Sequence, residues 1–112
     1  MGYLYYGDSD DPFELPDTLL AHLKVVITTK LRRRESFTLT WKHVDGAAHH
    51  RSALWLQEAI PLRFVFSSAE VTEVQPPVLQ EFAQMANSAN GLTVDMAEWT
   101  EPSRAEALPS AA

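Results

Sequence analysis

The sequence predicts an α+β fold: an antiparallel sheet of four to five strands with two helices on one face, in the order β-β-α-β-β-β-α. Three observations predict it. Residues 17–33 carry apolar side chains at a helical period, residues 36–42 alternate apolar with polar, and Pro76-Pro77 opens a second apolar stripe. With 112 residues, 46% apolar and 21% charged, the chain is sized for one globular domain with its own core. That domain is expected over residues 1–95, with an acidic Ala-, Pro- and Ser-rich flexible tail over 96–112.

Taken in order, Tyr3–Tyr6 and Phe13–Leu15 read as a short hairpin across an acidic loop. Asp17 is the expected N-cap of the first helix, whose buried stripe is Leu19, Leu20, Leu23, Val26, Ile27 and Leu31. Its β-branched run Val25–Thr29 lowers helix propensity, so packing must hold it. Lys30, Arg32, Arg33 and Arg34 crowd the last turn, where cations meet the negative end of the helix dipole. In the strand that follows, Phe37, Leu39 and Trp41 face one way while Thr38, Thr40 and Lys42 face the other. Asp45-Gly46 is a hairpin-turn dipeptide, and Arg51–Leu56 is the return strand, with Leu54 and Leu56 opposite Trp55. Leu62–Phe66 is a further strand after Pro61. The second helix buries Val78, Leu79, Phe82, Met85 and Ala86 and stops at Asn90-Gly91. The expected core is Leu20, Leu23, Ile27, Leu31, Phe37, Leu39, Leu54, Leu56, Leu62, Phe64, Phe66, Phe82 and Met85.

Charge is unevenly spread. Residues 1–17 hold five acids and no Lys or Arg, giving −5. Residues 18–66 hold eight cations against three acids, giving +5, together with all four histidines. Residues 67–112 hold seven acids against Arg104, giving −6. A basic centre between acidic ends fits an anion-binding surface, a self-neutralising dipole, or head-to-tail association. The absence of cysteine excludes disulfides, thiol nucleophiles and Cys-ligated metals. No apolar run is long enough to span a membrane, no signal-peptide pattern opens the chain, and Tyr6 stands where a myristoylation signal needs Ser or Thr. A cytoplasmic protein is expected.

Motifs that carry chemistry are few. The four glycines stand alone, so no phosphate-cradling loop exists. Asp8-Ser9-Asp10-Asp11 has Phe13 and Leu19 where a calcium loop requires Gly and Glu. His43, Asp45, His49 and His50 lie in one short segment but match no metal-ligand spacing, and a solvated loop is the simpler reading. His22 has no carboxylate placed near it by spacing and reads as a packing residue. Lys42-His43-Val44-Asp45-Gly46 departs from the Lys-x-Asp-Gly signature of nucleotidyltransferases, since two residues separate Lys42 from Asp45. No catalytic residue, cofactor or metal is expected, and the chain is read as a non-enzyme.

The opening Met-Gly-Tyr-Leu-Tyr-Tyr-Gly, residues 20–33, Glu35–Leu39 and Ile60–Phe66 together resemble a group of small uncharacterised proteins from high-GC Gram-positive bacteria. Members sometimes bear the name ATP-dependent DNA ligase; the resemblance, over residues 1–95, implies no catalytic residues and only a hint toward nucleic acid. Two functional expectations follow. The first is a self-associating interaction module, or one binding another protein, through an exposed sheet face of Thr38, Thr40, Trp55 and Val65. The alternative is a nucleic-acid accessory protein whose contacts are Lys30, Arg32, Arg33, Arg34, Lys42, Arg51, Trp55 and Arg63.

Overall fold

A computed structural model describes residues 1–45 and 47–100 of the chain. Within them lie β1 (Gly2–Tyr6), β2 (Phe13–Leu15), α1 (Asp17–Arg32), β3 (Phe37–Asp45), β4 (Ala48–Leu56), β5 (Leu62–Val65), α2 (Pro76–Ala86), β6 (Leu92–Asp95) and α3 (Met96–Thr100). The expected α+β class is present, with the N-terminal hairpin and both long helices where the sequence put them. The single antiparallel sheet is not: the strands form two three-stranded sheets, ordered β2-β1-β5 and β4-β3-β6. β5 pairs with β1 rather than with β4, and β6 lies parallel to β3.

The reason for the difference is local. Side-chain alternation fixes which residues of a strand share a face, but says nothing about which strand lies beside it. After β4 the chain turns, with the Ile60 amide donating to the Gln57 carbonyl, and enters β5 so that Leu62 meets Tyr6 and Val65 meets Tyr3. β6 is four residues long, too short to give a clear period, and its parallel pairing needs the crossover that α2 supplies. Gly91 makes that pairing possible. It has a φ of +74°, and a Cβ there would stand 2.4 Å from the Thr38 carbonyl oxygen. Gly91 therefore serves the entry to β6, while α2 ends earlier, at Ala86 with Asn87 as its cap.

The core lies between α1, α2 and the inner faces of the sheets. Leu20, Leu23, Ile27, Phe37, Leu39, Leu56 and Phe82 are buried as expected. Leu31, Leu54, Leu62, Phe64, Phe66 and Met85 are half-buried against them. Leu19 of α1, Leu4 and Leu15 of the N-terminal hairpin, and Leu92 and Val94 of β6, a strand the sequence did not reveal, complete the core. Each fully buried leucine contributes about 2 kcal/mol relative to an exposed one. Trp41 packs edge-on to Phe13, with ring centroids 4.9 Å apart, and so ties β3 to β2. Trp99 is buried against His22 and Phe82, so packing continues through α3, beyond the 1–95 span read from the sequence. The remainder of the expected tail, 101–112, and Gly46 of the expected turn lie outside the described residues.

Two polar details differ from expectation. Pro16, not Asp17, occupies the cap position of α1, and the Asp17 carboxylate instead accepts from the backbone amide and hydroxyl of Ser67. His22 is fully buried. Its Nδ1 lies 2.7 Å from the Thr18 carbonyl, which can only accept, and its Nε2 receives the Gln75 amide at 2.9 Å. These partners fix the neutral ring with its proton on Nδ1. No helix among the described residues is long and apolar enough to cross a membrane.

Candidate functional site

β3 and β4 are each nine residues long and pair without interruption from Phe37 opposite Leu56 to Asp45 opposite Ala48. Among the described residues, only the base of this hairpin has a further strand beside it. β6 runs alongside Leu39 to Lys42, and among the described residues β4 is the edge strand on the other side. Ala48, His49, His50 and Arg51 are all exposed.

The outer face of this sheet carries Thr38 opposite Trp55, Thr40 opposite Ala53, and Lys42 opposite Arg51. Thr38, Thr40 and Trp55 thus share a face as the sequence suggested. The Trp55 indole is 56% exposed, although the Trp55 carbonyl accepts a 2.6 Å hydrogen bond from the Tyr6 hydroxyl. Val65 does not belong to this face. It lies opposite Tyr3 on the other sheet, because β5 pairs with β1.

The eight residues expected to contact nucleic acid are scattered by the fold. Lys30 is buried, donates to Asn87 Oδ1 at 2.6 Å and lies 3.6 Å from Glu35, so it joins α1 to α2 rather than facing solvent. Arg32 and Arg33 are exposed at the end of α1. Arg34 takes a φ of +61°, with its guanidinium 3.6 Å from Glu58. Arg63 lies on the other sheet, 4.0 Å over the ring of Tyr5. Lys42, Arg51 and Trp55 remain together on one face. Two like charges directly opposite each other repel, and Asp95 of β6, in register with Lys42, supplies the neighbouring carboxylate.

His43 and His50 occupy the opposite face from Lys42 and Arg51, while His49, two residues from Arg51, is on the same face as that pair. The rings of His43 and His50 stack with centroids 5.4 Å apart, and His43 Nε2 lies 3.0 Å from Ser52 Oγ. An open hollow of about 640 Å³ is lined by Lys42, His43, His49, His50, Arg51 and Asp95. Among the described residues, no three His, Asp or Glu side chains stand together as a metal site.

A family model described as a domain of unknown function, DUF7882, matches residues 1–98. The chain belongs to the DUF7882 family. No curated protein and no solved structure matches it. The DUF7882 match spans both sheets, the whole β3–β4 hairpin and all but the end of α3. The family's description attaches no activity to these elements, so the chemistry of the site rests on its geometry.

Sequence reasoning missed three participants. Tyr3 and Tyr5 stand beside Val65 and Arg63 on one face of the β2-β1-β5 sheet, a placement that only the pairing of β1 with β5 reveals. Asn87, the acceptor for Lys30, lies 57 residues away in the chain, and nothing local marks it.

Proposed function

We propose that this DUF7882 domain is a non-enzymatic interaction module that self-associates through the outer face and free edge of β4. The observation that carries the reading is the conjunction of a nine-residue strand with no strand on its outer side among the described residues and a tryptophan 56% exposed on its face. An unpaired edge offers its backbone donors and acceptors to another strand. Two copies related by a twofold axis would pair β4 with β4 in antiparallel fashion and join their outer faces into one continuous surface carrying both Trp55 side chains with Thr38, Thr40 and Ala53. Aromatic residues of this kind dominate the energy of such contacts. The module works in the cytoplasm and needs no cofactor.

Light scattering from a few micromolar to several hundred micromolar tests the reading. A concentration-dependent shift to dimer mass is expected, and Trp55→Glu or Ala53→Asp should weaken it by about thirtyfold or more. A monomer mass for the unaltered chain across that range overturns it.

One observation favours a second reading, contact with a phosphate backbone. Lys42 and Arg51 stand opposite each other near the end of an exposed two-stranded ribbon, with Trp55 on the same face. Such a ribbon fits a DNA major groove, and an aromatic beside cations suits single strands. Fluorescence anisotropy at low salt should then show binding that falls steeply as salt rises and is lost in the Lys42→Ala, Arg51→Ala double variant. No binding to duplex or single strand at low salt ends this reading.

A further inference from the structure

The loop between β5 and α2 has no regular structure, yet both of its ends are fixed to α1. The Ser67 amide donates to the Asp17 carboxylate at 3.1 Å, and the Gln75 amide donates to His22 at 2.9 Å. Those anchors are five residues apart, about 7 Å along the helix. The middle of the loop reaches much further. Ser68 to Thr72 line a groove of about 550 Å³ together with Thr28, Thr29 and Arg32, near the other end of α1. A loop closed at its ends and extended over a groove is a common functional arrangement.

The lining of the groove is chemically one-sided. Ala21, Val25, Phe66 and Val74 are apolar, and Val25 is 39% exposed. The hydroxyls of Thr28 and Thr29 are spent on the carbonyls of Lys24 and Val25, each at 2.7 Å, which leaves little polar capacity along this part of the helix. Val71 stands at the rim, 92% exposed, beside a groove that its side chain could cover. Lys24 and Arg32 are the cations of the lining, against a single carboxylate, Glu70. Among the described residues neither cation is in an ion pair.

We propose that this groove binds an aliphatic carboxylate of medium chain length. Its chain lies along α1 against Val25, Phe66 and Val74, its carboxylate is taken by the planar fork of Arg32, and Val71 closes over it. Open apolar clefts of this volume with one or two charged groups are ordinary small-molecule sites. The acidic residues of the loop, Glu70 and Glu73, favour a free amphiphile over an anionic membrane surface.

The test is a titration of the isotope-labelled full chain with decanoate, decanol and phosphatidylglycerol vesicles, followed by amide NMR shifts. Decanoate should produce saturable shifts at Val25, Thr28 and Val71 and bind about fivefold more tightly than decanol, with Arg32→Ala removing that preference. Val71→Asp, at a position too exposed to affect folding, should weaken decanoate as well. Equal affinity for decanol and decanoate, binding to vesicles alone, or the absence of saturable shifts overturns the proposal. Each outcome is independent of self-association through β4.

Discussion

The two halves of the β3–β4 hairpin share one register but have different surroundings. At the base, Phe37, Leu39, Trp41 and Leu56 are at most 5% exposed, with β6 alongside and Phe13 against Trp41. At the tip, Ala48 to Arg51 are exposed, and the side chains meet in a stack of His43 on His50 and a contact of His43 with Ser52. An isolated two-stranded ribbon is marginal in water, so the tip holds its pairing because the base is anchored. Strand pairing and core burial are therefore separate contributions here: the inner face of the base is packed, while its outer face at Trp55 and the strand positions of the tip leave surface for a partner. Local opening should cost far less at the tip than at the base, which amide exchange can measure strand by strand.

The largest effect expected from breaking the base is that of Leu39→Ala. Leu39 is fully buried, and its truncation should cost about 2–5 kcal/mol in urea denaturation. His50→Ala, at the exposed tip of the same hairpin, should stay within about 0.5 kcal/mol. Equal costs at the two positions would mean that the tip is packed after all. Next in size is Gly91→Ala, which tests how β6 is held against the base. The methyl would collide with the Thr38 carbonyl in a backbone conformation that favours glycine. A loss of at least about 1 kcal/mol is expected, with faster exchange in β6 and the middle of β3.

A smaller effect probes the joint behind the base. Asn87→Ala would leave the buried Lys30 ammonium without its closest partner, at a cost of about 1–2 kcal/mol by thermal or urea unfolding. Lys30→Met should cost less than Asn87→Ala, because it removes the charge together with its need for a partner. The reverse order would show that the Lys30–Asn87 contact is itself a strong net contribution.

What the sequence made legible follows from what a local pattern encodes. The stripe Leu20, Leu23, Ile27 and the alternation Phe37, Leu39, Trp41 place burial correctly, because helix and strand periods decide faces within one element. The faces of Thr38, Thr40, Lys42 and Trp55 were readable for the same reason. Partnership between elements was not readable. The separation of Val65 and Arg63 from Trp55 depends on β5 choosing β1, and the burial of Lys30 depends on Asn87 of α2. Three consecutive basic residues at a helix end look like a surface patch, yet one ends in a left-handed turn beside Glu58. Long-range pairing settles these matters, and single residues carry little trace of it.

The smallest effect expected has the opposite sign and concerns the tip alone. Lys42 and Arg51 are directly opposite across the hairpin, where like charges repel. Arg51→Glu would turn that repulsion into attraction. Because Arg51 is exposed and Asp95 already faces Lys42 from β6, the gain should be only about 0.3 kcal/mol, and it should shrink as salt is raised. The same substitution should slow amide exchange at the tip while leaving the base unchanged, so it separates the two halves more cleanly than any core truncation. Its effect on phosphate contact runs the other way: a variant that is slightly more stable but no longer binds DNA at low salt would show that the unfavourable pair is kept for an anion. A variant that loses stability would mean that the Lys42 and Arg51 side chains diverge, and the repulsion would then play no part in the hairpin.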